Sequence, residues 1–172
     1  MNSIIWSKTI LSIYPYLPRI ADTIDRVVER RAINSFYVSS VDCGKNDTLS
    51  VVNKLIELSE RKVVLINLKV LVDKCLRNID RTMAKVLIAK YISKKKGKDA
   101  SAFLNIPERT FYRKIKEGEI AFYEALCKEG YDEKRLEVFL KDEEWIFEVK
   151  EGFEKDKEVE FGNNFIKKKV AI

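Results

Sequence analysis

Apolar side chains recur every three or four positions through most of the chain, the spacing that predicts helices with one buried face. Residues 3–14 suit a short helix that Tyr14-Pro15 ends or kinks, because proline restricts the residue before it. A second helix is expected from about Pro18 to Phe36, with Ile20, Ile24, Val27, Val28 and Ile33 on one broad face. The run from Ser39 to Asp47 reads as a loop from its turn residues. Asp47 or Thr48 then caps a long helix reaching about Asn78. Along it Leu49, Val52, Ile56, Ser59, Val63, Ile66 and Val70 alternate steps of three and four. A second stripe, Leu55, Leu58, Leu65, Val72, Leu76 and Ile79, widens the apolar surface. The pair of stripes fits a helix packed on both sides, or one with a homodimer seam within residues 49–79. Ser59-Glu60-Arg61-Lys62 allows a break.

Three helices are expected over residues 80–126: one capped by Asp80 and running 81–92, a short one over 99–104, and one starting at Glu108. Asp132 to Leu140 reads as a further amphipathic helix. Beyond it Trp145, Phe147 and Val149 alternate as in a strand, and Val159 to Ile166 suits a small β-hairpin or a charged tail. The fold class is therefore all-α: a helical N-terminal region (1–79), a trihelical domain (80–127), and an acidic helical segment with a charged extension (128–172).

Composition narrows the chemistry. The chain of 172 residues contains no histidine and three widely spaced cysteines, Cys43, Cys75 and Cys127. Histidine-dependent nucleophile systems and zinc knuckles are thereby excluded, and reduced structural thiols are expected. The sequence predicts no catalytic, metal or cofactor site, and no stretch is long and apolar enough to span a membrane. A cytoplasmic location follows as the expectation.

Charge is distributed unevenly. The net of +6 conceals a block of +8 over residues 80–116 followed by one of −9 over residues 117–160. A concentrated basic block is the electrostatic footprint of a polyanionic partner. The acidic block reads as a solvated helical face, or as a partner surface anchored by Trp145-Ile146-Phe147.

The basic block contains Asp99-Ala100-Ser101-Ala102-Phe103-Leu104-Asn105-Ile106-Pro107-Glu108-Arg109-Thr110-Phe111-Tyr112-Arg113-Lys114-Ile115. Ser101 is small enough for two helices to cross closely. Asn105 stands where a left-handed turn residue is needed, and asparagine tolerates that conformation best among non-glycines. Ala100, Leu104, Ile106, Phe111 and Ile115 supply the apolar contacts, and Pro107 opens the next helix. This pattern, with the helix before it, resembles the fourth region of bacterial sigma factors and related phage and sporulation regulators with a sigma-like helix-turn-helix. The resemblance covers about residues 80–126. Three positions depart from it: Asp99-Ala100-Ser101 lacks one bulky contact, Phe103 replaces a polar residue, and Pro107 replaces a Ser or Thr cap. Phe103 is expected to pack on the N-terminal helices.

The resemblance implies a second helix lying in the DNA major groove. Carried over by position, it makes Glu108, Arg109, Tyr112 and Arg113 base-facing, with Thr110, Lys114 and Lys116 nearer the phosphates. Independently, Arg109 and Arg113 lie four apart, opposite Phe111 and Ile115, and arginine can bond both guanine acceptors at once. Lys94, Lys95, Lys96 and Lys98 precede the motif, where they suit backbone phosphates. The expected function is a sequence-specific DNA-binding transcription regulator, with double-stranded DNA and RNA polymerase as partners. A complete sigma factor is disfavoured because residues 1–79 lack an aromatic, basic promoter-melting segment. The alternative is a helical adaptor, polymerase- or sigma-associated, that reads no DNA.

Overall fold

The computed structural model describes residues 3–39 and 48–155, and all regular structure among them is helical. Helix α1 spans Ser3–Ile13 and a single 3-10 turn, Tyr14–Tyr16, follows it. Pro15 lies inside that turn, so the expected break falls where the sequence placed it. Helix α2 is Leu17–Ser39 and α3 is Thr48–Asn78, the latter continuous through Ser59-Glu60-Arg61-Lys62. Helix α4, Arg81–Leu87, passes directly into a π-helical turn over Ile88–Ile92. Next come α5, Gly97–Leu104, α6, Glu108–Lys128, and α7, Glu133–Phe139. Residues 144–155 form a final helix, α8. The expected loop at 39–47 and hairpin at 159–166 lie largely or wholly outside the described residues.

Two compact units are formed. One combines α1 with the described chain from Val72 onwards; the other is Tyr14–Leu71. In the first, α1 packs on α6 and on the π-helical turn. Ile5, Trp6, Ile10, Leu11 and Ile13 are all buried, so α1 is enclosed on most of its circumference. The Ser7 hydroxyl donates to the Glu119 carbonyl oxygen of α6 at 2.7 Å. In the second unit, Leu17, Ala21 and Ile24 of α2 and Leu65, Leu68 and Leu71 of α3 are buried. The Lys62 ammonium bonds both Asp25 carboxylate oxygens, at 2.6 and 2.7 Å, and ties these two helices.

Helix α8 corrects the strand-like reading of Trp145, Phe147 and Val149. Three alternating residues are too short a pattern to separate a period of 2 from one of 3.6. Ile146 is buried with Val149, Lys150 and Phe153 partly covered on the same side, a helical spacing. Phe147 meets Trp6 edge-on at 5.9 Å, and the Lys150 ammonium lies over the Trp6 ring at 4.8 Å. Among the described residues no helix is long and apolar enough to cross a membrane.

Cys75 is fully buried, and burial, with Glu129 nearby, pushes its thiol up to about 11. An acid raised in the folded state holds its proton longer there than in the unfolded chain. Its contribution is complete below the unfolded value near 9 and disappears as pH rises towards 11. Urea titrations are expected to show stability falling between about pH 9 and 11, with a shallower fall in Cys75→Ala.

Candidate nucleic-acid interface

The site is built on a three-helix core. Val86 and Ala89 from α4 and its π-helical extension, Ala100 from α5, and Phe111 and Ile115 from α6 form one buried cluster. Leu104 and Ile106 close it at the turn. Ala100 has no exposed surface and Ser101 is 8% exposed, so α5 meets α6 through its smallest side chains. The Ser101 hydroxyl donates to the Lys98 carbonyl at 2.8 Å, satisfying itself within its own helix.

Asn105 takes the left-handed conformation, φ 52° and ψ 46°. Its N–H donates to Ala102 O at 3.1 Å and the Ile106 N–H donates to Ser101 O at 3.0 Å. Together these bonds stop α5 and turn Ile106 back into the core, a Schellman closure. Pro107, φ −59° and ψ 142°, stands one position before α6 rather than within its first turn, and no side chain caps that helix. The first amides of α6 are therefore left for solvent or an anion. Asp80 caps α4 by accepting from the Met83 and Thr82 amides, and those bonds hold its carboxyl below the usual range.

The base-facing candidates are exposed and fall into two pairs. Arg109 and Arg113, with Lys116, lie within about 60° of each other around the α6 axis, away from Phe111 and Ile115. Arg113 Nε is 3.7 Å from Glu117 Oε1, a loose surface pair of little energetic weight. Tyr112 and Glu108 instead lean towards the start of α5, where a Cβ on Gly97 would overlap the Tyr112 hydroxyl and come within 3.2 Å of Glu108 Oε1. Tyr112 also meets Phe111 edge-on at 5.7 Å, so its ring is half packing and half surface.

Among the phosphate candidates, Lys94, Lys96 and Lys98 are exposed around the entry to α5. Lys94 has positive φ, 50°, and Lys96 immediately precedes the helix. The Lys95 ammonium lies 3.3 Å above the Phe103 ring. Phe103 is 68% exposed and does not pack on the N-terminal helices as expected; the lysine run supplies its neighbour instead. Lys116 is exposed, whereas Thr110 and Lys114 are half-buried, and the Lys114 charge also helps lower the Asp80 carboxyl.

Sequence reasoning missed two parts of this surface and one buried group. Gly97 is a bystander in a lysine run until its closeness to Tyr112 is seen. Arg81 and Lys85 edge a groove between α4 and α5 floored by Val86, Ala89, Leu104 and Ile106, with Phe103 beside it. Glu119, counted in the acidic block as a solvated charge, is 2% exposed and accepts from the Tyr91 hydroxyl at 2.5 Å. Burial and the Glu119 charge push the Tyr91 phenol far above its usual range, so it remains a donor. Lys90 Nζ approaches the same carboxylate at 3.8 Å.

Asn105→Ala is expected to destabilise the fold by about 1 kcal/mol, and Asn105→Gly to leave it unchanged or slightly more stable, as read by urea unfolding. Equal loss in both variants would contradict the assigned turn. No protein-family model, curated protein or solved structure matches this chain.

Proposed function

We propose that the protein is a sequence-specific DNA-binding transcription regulator that works by binding rather than catalysis. The observation that carries this reading is the exposed arginine pair, Arg109 and Arg113, on the first half of a helix held by a left-handed turn. Exposed lysines surround the start of the preceding helix. An α-helix fits the major groove, and each bidentate arginine–guanine contact is worth about 1–3 kcal/mol of discrimination. The resemblance of residues 80–126 to the fourth region of sigma factors supports the same assignment, and with it RNA polymerase as a second partner.

In this mechanism the two kinds of basic residue divide the work. Lys94, Lys96, Lys98 and the uncapped amides of α6 take phosphates, releasing counterions and setting affinity without regard to sequence. Arg109 and Arg113 read base edges. Tyr112 and Glu108, held beside Gly97, fix the approach at the crossing of the two helices. The alternative adaptor role predicts a stable protein partner and no salt-dependent affinity for DNA.

Selection of bound duplexes from a random pool at two salt concentrations is expected to enrich a motif containing guanine. Arg109→Ala or Arg113→Ala should lower preference for that motif by about 10- to 100-fold while leaving non-specific binding nearly intact. Replacing Lys94, Lys95 and Lys96 by alanine should weaken binding to all sequences and reduce the salt slope by about 2 to 3. Equal, salt-insensitive behaviour of the two sets would refute the division of labour.

A further inference from the structure

We infer that a second copy of this chain docks along one stripe of α3. The stripe is the first of the two read from the sequence. Leu49 is 66% exposed, Val52 44%, Ile56 51%, Val63 54%, Ile66 41% and Val70 57%, with Ser59 also exposed between them. All seven lie in the Tyr14–Leu71 unit. Their steps run three, four, three, four, three, four, the 3.5-residue period that keeps one face of a helix against a partner helix over its length.

The surface has the relief that such pairing requires. Val52, Leu55, Ile56, Ser59, Glu60 and Val63 line a depression along the stripe. Those six residues make two overlapping sets of four: Val52, Leu55, Ile56 and Ser59, then Ile56, Ser59, Glu60 and Val63. Each set has the composition of one hole in knobs-into-holes packing, the first for a knob from the partner's leading heptad position and the second for one from the fourth. The leading positions are Leu49, Ile56, Val63 and Val70 and the fourth positions Val52, Ser59 and Ile66, so every site of the stripe but Leu49 and Ser59 is β-branched. Ser59 keeps the middle of the seam shallow, its hydroxyl donating back to Leu55 O at 2.8 Å.

Area and charge select the occupant. The six apolar residues leave roughly 500 Å² uncovered, so two copies together remove up to about 1,000 Å², the threshold a biological interface has to reach. Partner choice between different helices is set by charges flanking the seam. Here one flank is Asn53, Glu60 and Asn67, and the other is Leu55, Lys62 and Lys69, with Lys62 held by Asp25 and Lys69 lying over the Tyr14 ring. The first flank carries a single charge, and on the second Asp25 offsets one of the two lysines, so repulsion between identical stripes is small. A two-fold pairing of identical stripes meets these conditions, and it places two copies of the basic helix-turn-helix in one particle.

Sedimentation equilibrium of the full chain from 1 to 100 µM is expected to give twice the chain mass. Ile56→Glu combined with Val63→Glu should give the single-chain mass with unchanged helical circular dichroism, since both sites are exposed. Ser59→Leu, which fills the shallow point of the seam, should tighten the dimer by at least about tenfold. A wild-type chain that stays monomeric at 100 µM overturns the inference, as it would if residues 156–172 covered the stripe instead. A dimer indifferent to all three substitutions overturns it as well. Mass is read without DNA, so failure here and failure of the DNA-binding proposal are separately visible.

Discussion

The close crossing of α5 on α6 is the constraint on which the rest of the basic surface depends. Ala100 and Ser101 keep the two backbones near enough for Phe111 to fill the core, and Asn105 reverses the chain in a conformation that costs most side chains about 1–2 kcal/mol. A larger residue at Ala100, or one intolerant of positive φ at Asn105, would rotate α6 about its own axis. Arg109 and Arg113 would then no longer lie on the outer surface beside the lysines of the α5 entry. Gly118 serves the same geometry from the other side. Its missing side chain lets α6 approach Leu87 of α4, whose side-chain carbons stand 3.2–3.4 Å from where a Cβ would be.

A second, buried layer holds this head to α1. Glu119 would be costly inside the protein if left alone. The Tyr91 hydroxyl donates to it, the Lys90 ammonium lies near, and the Ser7 hydroxyl takes the carbonyl of the same residue. Tyr91 and Lys90 both belong to the π-helical turn, whose extra residue per turn shifts side chains relative to an α-helix. Burial lowers the Lys90 ammonium's affinity for its proton while Glu119 works in the opposite direction, so the two groups depend on one another. The polar interior thus joins three elements, α1, the π-helical turn and α6.

Much of this was legible from residue spacing. The limits of α3, the break at Tyr14-Pro15, the cap at Asp80 and the left-handed turn at Asn105 all follow from local chemistry that a short window of sequence contains. What local chemistry lacks is the identity of the neighbour. Both stripes of α3 are apolar, yet only the one containing Leu65, Val72 and Leu76 is buried along much of its length, because periodicity marks a face without naming its partner. An aromatic ring at a usually polar position suggests packing of Phe103 on the N-terminal helices, but the adjacent lysine run offers its ring a cation at the surface. Glu119 looked solvated because its partner Tyr91 is distant in sequence, and charge counting has no term for burial.

We propose that the first half of α6 and the entry to α5 form a single surface for DNA. Amide chemical-shift mapping of the full chain against a selected duplex and a scrambled one tests it most directly. With the selected duplex, the largest shifts are expected at residues 108–116 and 94–98, and those at Arg109 and Arg113 should shrink with the scrambled duplex while the 94–98 shifts persist. Shifts centred elsewhere in the chain, or the same shifts with both duplexes, would contradict a shared DNA surface at these two segments.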